Sequence, residues 1–438
     1  LDILIMAGQL ILGLTILVGV HEMGHMLSAK WFGMRVEKFA IGFPPKLFGK
    51  KIGETEYMIG AVPLGGFVKI TGMIDESLDT EAMSQEPQPY EFRAKPAWQR
   101  LIVMLGGIIV NVLTGILIFT ILTAKYGQSY LPASEVRFGV VPSKLGEEIG
   151  FRKGDKIVKI NGRPFEQFDD VYDPEVVMGN QSYYTVERNG QLLDIKLPGD
   201  FMDRLSDNQN DPARFVEPLN PFEVGEVVAG RAAAKAGLQP GDRILRVGAR
   251  EINFFPELQQ ALKDNAGKAT ALLVQRNSKP ITLTANVEEE GTLGFMPKSL
   301  LQYSTKDYSF IEAIPAGASQ AFGIVSNQVQ AFGKIFRGEA SASKSLGGPM
   351  AIAQTYGGTF NWIKFWTLTG MLSMVLAFMN LLPIPALDGG HVMFLTYEMV
   401  SGRKPSDKFL ENSQKVGMAL LLSLMVFVIF NDLFKTLF

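Results

Sequence analysis

Three histidines occur in this chain of 438 residues, at positions 21, 25 and 391, and there is no cysteine. With no thiolate available, histidine and carboxylate are the only strong ligands for a transition metal. His21, Glu22 and His25 form a His-Glu-x-x-His pattern. On a helix, residues four apart share a face, so two imidazoles can reach one ion at about 2.0–2.1 Å. Glu22 lies beside that face and can reach a metal-bound water without being a ligand. So short a pattern also arises by chance, and its surroundings carry the weight. It continues an apolar run from residue 3, where a charged side chain at a helix centre is disfavoured by about 2.5–3.5 kcal/mol and therefore needs a functional reason. Histidines that merely touched headgroups would not need Glu22 between them.

Catalytic zinc takes three protein ligands and keeps one position for water. The third ligand must come from another segment, and Asn380-Leu-Leu-Pro-Ile-Pro-Ala-Leu-Asp-Gly-Gly-His391 is the apolar stretch that offers one. Spacing alone leaves both Asp388 and His391 open. The two prolines and two glycines predict irregular backbone, which a membrane tolerates only where it lines an enclosed or watered cavity.

The elements that must position these groups are apolar and long. Residues 3–20 (continuing to 27), 101–124, 365–382 (continuing after a break through 391–400) and 416–434 reach or approach the roughly 20 residues needed to cross about 30 Å of hydrocarbon. Residues 101–124 hold one asparagine and no charge. Ten Lys and Arg lie within 30–100, and Arg403, Lys404, Lys408 and Lys415 precede the last apolar run. The positive-inside rule makes both regions cytoplasmic, with both termini and the region 126–360 on the other side. Leu1-Asp2-Ile3 has no basic n-region or cleavage site, so the first segment reads as a retained span rather than a removable signal. Apolar residues make up 47% of the chain and the formal net charge is −2. No basic field suggests nucleic acid, and no acidic tail suggests a basic partner.

Between the second and third runs the sequence repeats. Gly150-Phe-Arg-Lys-Gly-Asp-Lys-Ile-Val aligns with Gly237-Leu-Gln-Pro-Gly-Asp-Arg-Ile-Leu, one small domain's length away. Each copy runs from a Gly-Asp turn into an alternating strand. The second copy resembles PDZ domains of the bacterial protease-associated kind, and the first is a looser version. Such domains bind an extended peptide, often a C-terminus, as an added strand; spacers without a ligand are the plainer alternative. Residues 203–221 read as the linker between the copies. Ile311, Ile314, Ala318, Phe322, Val325, Val329, Phe332 and Phe336 define one apolar helical face, expected either at the membrane interface or against the repeated modules.

Taken together, the His-Glu-Met-Gly-His motif, the Asn380–His391 segment and the paired modules between them resemble the site-2 protease family, most closely its bacterial sigma-E-regulating kind. The resemblance implies a polytopic α-helical membrane protein with four transmembrane helices and two tandem α/β PDZ domains between the second and third. It implies Zn2+ held by His21, His25 and Asp388, Glu22 as general base, Asn380, Pro383 and Pro385 as a substrate-facing turn, and His391 as a supporting residue. It further implies that the glycine-rich hairpin around Gly65, Gly66 and Phe67 dips into the membrane and takes up substrate as a strand. An ordinary cytoplasmic β-turn is the competing reading of that hairpin.

The expected organisation is a first span over 1–30, a cytoplasmic loop with the hairpin over 31–96, and a second span over 97–125. PDZ domains follow over 126–202 and 222–290 with the linker between them, then amphipathic interfacial helices over 291–360. A broken third span over 361–400, a loop over 401–415 and a last span over 416–438 complete it. The implied partners are the lipid bilayer, single-span membrane substrates such as a pre-cleaved anti-sigma factor or remnant signal peptides, and a peptide C-terminus at the PDZ domains. The implied location is a bacterial inner membrane, with termini and PDZ domains periplasmic and the site opening to the cytoplasm. Two other classes fit some of these residues: a metal or ion transporter, which predicts inverted repeats that the spans do not show, and an inactive PDZ membrane adaptor.

Overall fold

A computed structural model describes residues 2–73, 86–177, 179, 181–201, 204, 214–337 and 348–437. The chain forms two compact units, one from residues 1–127 and 307–438, the other from residues 128–306.

In the first unit, α1 (Asp2–Trp31) leads into two long antiparallel strands, β1 (Val36–Ile52) and β2 (Thr55–Ile70), followed by α2 (Ala97–Tyr126). The strands fold back so that residues 38–41 pair with both 56–59 and 66–69. After the second unit come α3 (Phe310–Phe336), α4 (Pro349–Tyr356), α5 (Trp362–Leu381), α6 (Asp388–Ser401) and α7 (Asp407–Leu437). Among the described residues four helices are long and apolar enough to cross a membrane: α1, α2, α5, and α7 over Lys408–Asp432. At 1.5 Å per residue the 20 residues of α5 extend about 30 Å, the thickness of a hydrocarbon core. The third apolar region is thus two helices, α5 and α6, separated by the turn at 382–387.

Helix α3 divides its expected apolar face between packed and outward-facing residues. Within its own unit it packs against α2 through a stripe of small residues, with Val325 and Phe332 of the expected face packing beside Met374 and Phe378 of α5. Ala313, Gly317 and Ala321 are buried, and a Cβ on Gly317 would run into Thr120. Gln320 Nε2 donates to Thr123 Oγ1 at 3.0 Å. Small residues let two backbones approach, which replaces the hydrophobic drive that lipid does not supply. Ile311, Ile314, Phe322 and Val329, other bulky members of the expected face, point outward.

The second unit contains two modules, each with its own core. The first has the sheet Lys156–Ile160, Tyr183–Arg188, Gln191–Lys196 around buried Phe151, Tyr184 and Val186. The second has a four-stranded sheet with Ala269–Arg276 inside it and the helix Phe255–Asp264 over buried Leu258, Leu272 and Val274. Residues 205–213 of the expected linker lie outside the described residues. Its end is not linker at all: Val216–Pro218 pairs with Val140–Pro142, and Phe215 is buried in the first core, where it meets Phe151, Tyr184 and Phe201. The second module likewise runs past 290, because Phe295–Ser299 pairs with Phe222–Val227.

Candidate active site

Helix α1 carries His21, Glu22 and His25, and α2 backs them closely. Gly24 of α1 and Gly106 of α2 touch so tightly that a Cβ on either would strike the other's backbone. Gly107 extends that contact to the imidazoles, since a Cβ there would strike His25 Nε2 and His21 Cε1. These glycines are what allow two rings to stand against a helix backbone.

Asp388 arrives from the far side as the first residue of α6. The turn before it is tightly wound: Ala386 holds φ at +77°, its N–H donates to Gln414 Oε1 of α7 at 3.3 Å, and Gly389 leaves room for the carbonyl of Leu382. A buried ion pair between Arg100 of α2 and Glu398 of α6 fixes the helix behind the turn.

Three ligand atoms result. His21 Nε2 lies 3.2 Å from His25 Nε2, and Asp388 Oδ2 lies 3.2 Å from the first and 3.3 Å from the second. Both histidines are buried. Asp388 Oδ2 is buried and accepts no hydrogen bond from them. A buried carboxylate oxygen without a donor is costly unless a cation sits beside it. The edges of a tetrahedron with bonds of about 2.0–2.1 Å measure roughly 3.3–3.4 Å, so the triangle fits one face of a zinc polyhedron, with the fourth vertex left for water. Among the described residues this is the group of His, Asp and Glu side chains arranged to hold a metal.

A cavity of about 790 Å³ opens on the triangle, and Glu22 lines it. Gly65, Gly66, Phe67 and Asn380 line the same cavity. Gly66 brings β2 against α1, where an added Cβ would lie 2.8 Å from Val18 Cγ1 and 3.3 Å from Glu22 Cγ. Residues 38–41 of β1 pair with both 56–59 and 66–69 of β2, while 56–59 pair again with 48–51, so residues 66–70 form the edge of this sheet on the Glu22 side. Asn380 Nδ2 lies 3.1 Å from His21 Nε2. The two prolines behave differently: Pro383 is exposed, and Pro385 packs its carbonyl against Gly417 of α7, so they shape the turn without lining the cavity. His391 lines the cavity one helical turn after Asp388 but stands outside the triangle.

Two contacts were not singled out in the sequence. His25 Nδ1 lies 2.8 Å from the carbonyl of Val103. Asn111, the single asparagine of α2's apolar run, lies with Nδ2 3.1 Å from His21 Nδ1. The one amide side chain in a long uncharged run was the available signal for Asn111; a backbone carbonyl leaves none.

Two imidazoles, a donor-free carboxylate and a neighbouring glutamate, set among helices that can cross a bilayer, define a membrane-embedded metallohydrolase centre. The chain belongs to Peptidase family M50, whose family model matches residues 9–424. It is 29% identical over 459 aligned residues to the Regulator of sigma-E protease RseP of Salmonella typhimurium, with 99% of each chain covered. It is 29% identical to the Escherichia coli protein of that name, over 96% of this chain and 97% of the relative, and 28% identical to a putative zinc metalloprotease of Neisseria meningitidis, over 98% of both. The chain is therefore a zinc metalloendopeptidase of the site-2 protease type, an intramembrane protease. Membership in a peptidase family sets the transporter and adaptor readings aside.

Proposed function

We propose that the protein hydrolyses peptide bonds within or near the transmembrane segment of single-span membrane proteins, with His21, His25 and Asp388 as zinc ligands and Glu22 as general base. The observation that carries this reading is the ligand triangle and Glu22 facing one cavity that the edge segment of β2 from Gly65 to Ile70 also lines. Zinc supplies a water whose pKa falls from 15.7 to about 7 and a Lewis acid for the developing oxyanion. Glu22 takes the proton from the attacking water and returns it to the leaving amine. A helical substrate hides its scissile bond, so it must be unwound. The edge of β2 at Gly65, Gly66 and Phe67 can take the extended segment as an added strand, and the Asn380 amide can bond to its freed backbone.

The positive-inside rule supports a multi-pass protein of a bacterial inner membrane, with residues 30–100 and 403–415 cytoplasmic and the 128–306 unit periplasmic. In that unit we read the two modules as tandem PDZ domains that filter substrates, either by binding a C-terminus exposed by an earlier cut or by excluding bulky outer domains. The similarity to proteins named as regulators of sigma-E protease supports an anti-sigma factor as one substrate, in an envelope stress pathway; remnant signal peptides share the single-span chemistry.

The test is cleavage of a single-span reporter by the purified protein and its Glu22→Gln variant, with zinc measured in both. Cleavage should fall by about 10²–10⁴-fold, the usual contribution of a positioned base, with zinc retained. Undiminished cleavage in the variant would remove Glu22 from the mechanism.

A further inference from the structure

We infer that Asn111 is a positioning residue for the metal centre: its side-chain oxygen accepts a hydrogen bond from Nδ1–H of His21 and so fixes the tautomer and ring orientation of that ligand. The inference rests on the reading of His21 as a zinc ligand through Nε2.

Asn111 is 0% exposed in a span whose other polar residues over 101–124 are threonines. Burying an amide without partners is unfavourable, so its presence calls for an explanation. Its amide ends 3.1 Å from His21 Nδ1, while its Oδ1 is buried with no partner. The two facts resolve each other. A neutral imidazole that presents its Nε2 lone pair to a metal carries its proton on Nδ1, and that N–H needs an acceptor. With Nδ2 toward the ring, two donors would face one another and Oδ1 would be wasted. The amide's O and N have almost the same shape, and the hydrogen-bond network decides which faces the ring. With Oδ1 toward Nδ1, the ring's donor and the amide's acceptor are both satisfied.

His25 follows the same logic with an acceptor that admits no alternative. Its Nδ1 lies 2.8 Å from the carbonyl of Val103, which must receive a proton and therefore leaves Nε2 free for the ion. Both histidines of α1 thus take their orientation from acceptors on α2, one from the backbone and one from a side chain. The α2 backbone at Asn111 is itself held, because the fully buried Ser373 of α5 donates its Oγ–H to the Asn111 backbone carbonyl at 2.8 Å. Helix–helix adhesion by the amide is the competing role. It predicts a loss of stability without a change at the metal.

The experiment uses the full-length purified protein with zinc affinity read by chelator competition and the visible spectrum of the Co(II)-substituted form, for wild type, Asn111→Leu, Asn111→Asp and His21→Ala. Asn111→Leu keeps the shape and removes the acceptor, and should weaken zinc binding about 10–100-fold, the usual effect of losing such a partner. Asn111→Asp keeps an acceptor and should hold zinc at least as well as wild type, with a shifted Co(II) spectrum. Wild-type affinity in Asn111→Leu overturns the inference. Should that variant not fold, Asn111→Asp decides alone: loss of zinc, or an unchanged Co(II) spectrum, overturns it. His21→Ala separates the two levels. If it binds zinc like wild type, the ligand reading fails and takes the inference with it. If it loses zinc while Asn111→Leu keeps it, only the role of Asn111 fails.

Discussion

Buried carboxylates occur in both units of the molecule, and they are satisfied in opposite ways. In the 128–306 unit, Asp155 and Asp242 are each 1% exposed. Asp155 accepts from Arg188 Nε and Nη2, each at 2.7 Å, and from the N–H of Arg152 at 2.8 Å. Asp242 repeats the arrangement with Arg276 Nε and Nη2 at 2.7 Å and the N–H of Gln239 at 2.8 Å. Each arginine also donates to the carbonyl of the glycine that opens the repeat, Gly150 or Gly237. In the helical unit, Asp388 has an oxygen that accepts nothing, with two imidazole nitrogens about it. A carboxylate already neutralised by a protein cation braces a turn. One left open inside a peptidase centre is available to a metal, and the two kinds of site look alike in composition alone.

The largest effect is expected at the open carboxylate. Asp388→Ala should abolish both zinc binding and cleavage while leaving amide protection in the 128–306 unit unchanged, as read by hydrogen exchange. Retained zinc would show that Asp388 is closed like the other two. Next, Arg276→Ala strips the partner from a closed carboxylate. Removing the partner leaves the buried Asp242 carboxylate uncompensated and should destabilise the module. Hydrogen exchange in Ala269–Arg276 should accelerate, with zinc content unaltered.

A smaller effect is expected in pH dependence. Burial on its own pushes the Asp242 carboxyl up, but the Arg276 guanidinium and the Gln239 N–H outweigh it and hold the group below the usual carboxylate range. A depressed folded pKa gives stability that is present above the unfolded value, about 3.9, and is lost as pH falls through the folded one. Wild-type modules should therefore weaken on acidification below about pH 4. In Arg276→Ala the guanidinium's share of that depression is gone, so the acid-side weakening should shrink, which exchange measured across that range would detect. The smallest effect sharpens the ligand assignment: His391→Ala should leave zinc stoichiometry unchanged, since the ring lies outside the triangle.

Much of this molecule could be read locally. Four apolar lengths, a pair of histidines one turn apart, a glycine- and proline-broken segment and a Gly-Asp turn repeated at a fixed interval are properties of short stretches, and short stretches are governed by periodicity and backbone propensity. The small-residue face of α3 escaped because hydrophobic patterning marks the bulky side, only part of which packs. Phe215 and Val216 escaped because a polar stretch conceals that its end returns to the first module's core.

By itself the sequence determined the candidate ligands, the base beside them and the apolar segments that carry them, since each follows from residue type and spacing along one element. Spacing leaves Asp388 and His391 open and the family resemblance points to Asp388, whose Oδ2 the fold brings to both imidazoles. Tertiary structure alone decided which acceptors face the outer nitrogens of the two histidines, and that Arg188 and Arg276 close the module carboxylates. Those are contacts between residues tens to hundreds of positions apart, and no local rule of backbone geometry specifies the partner.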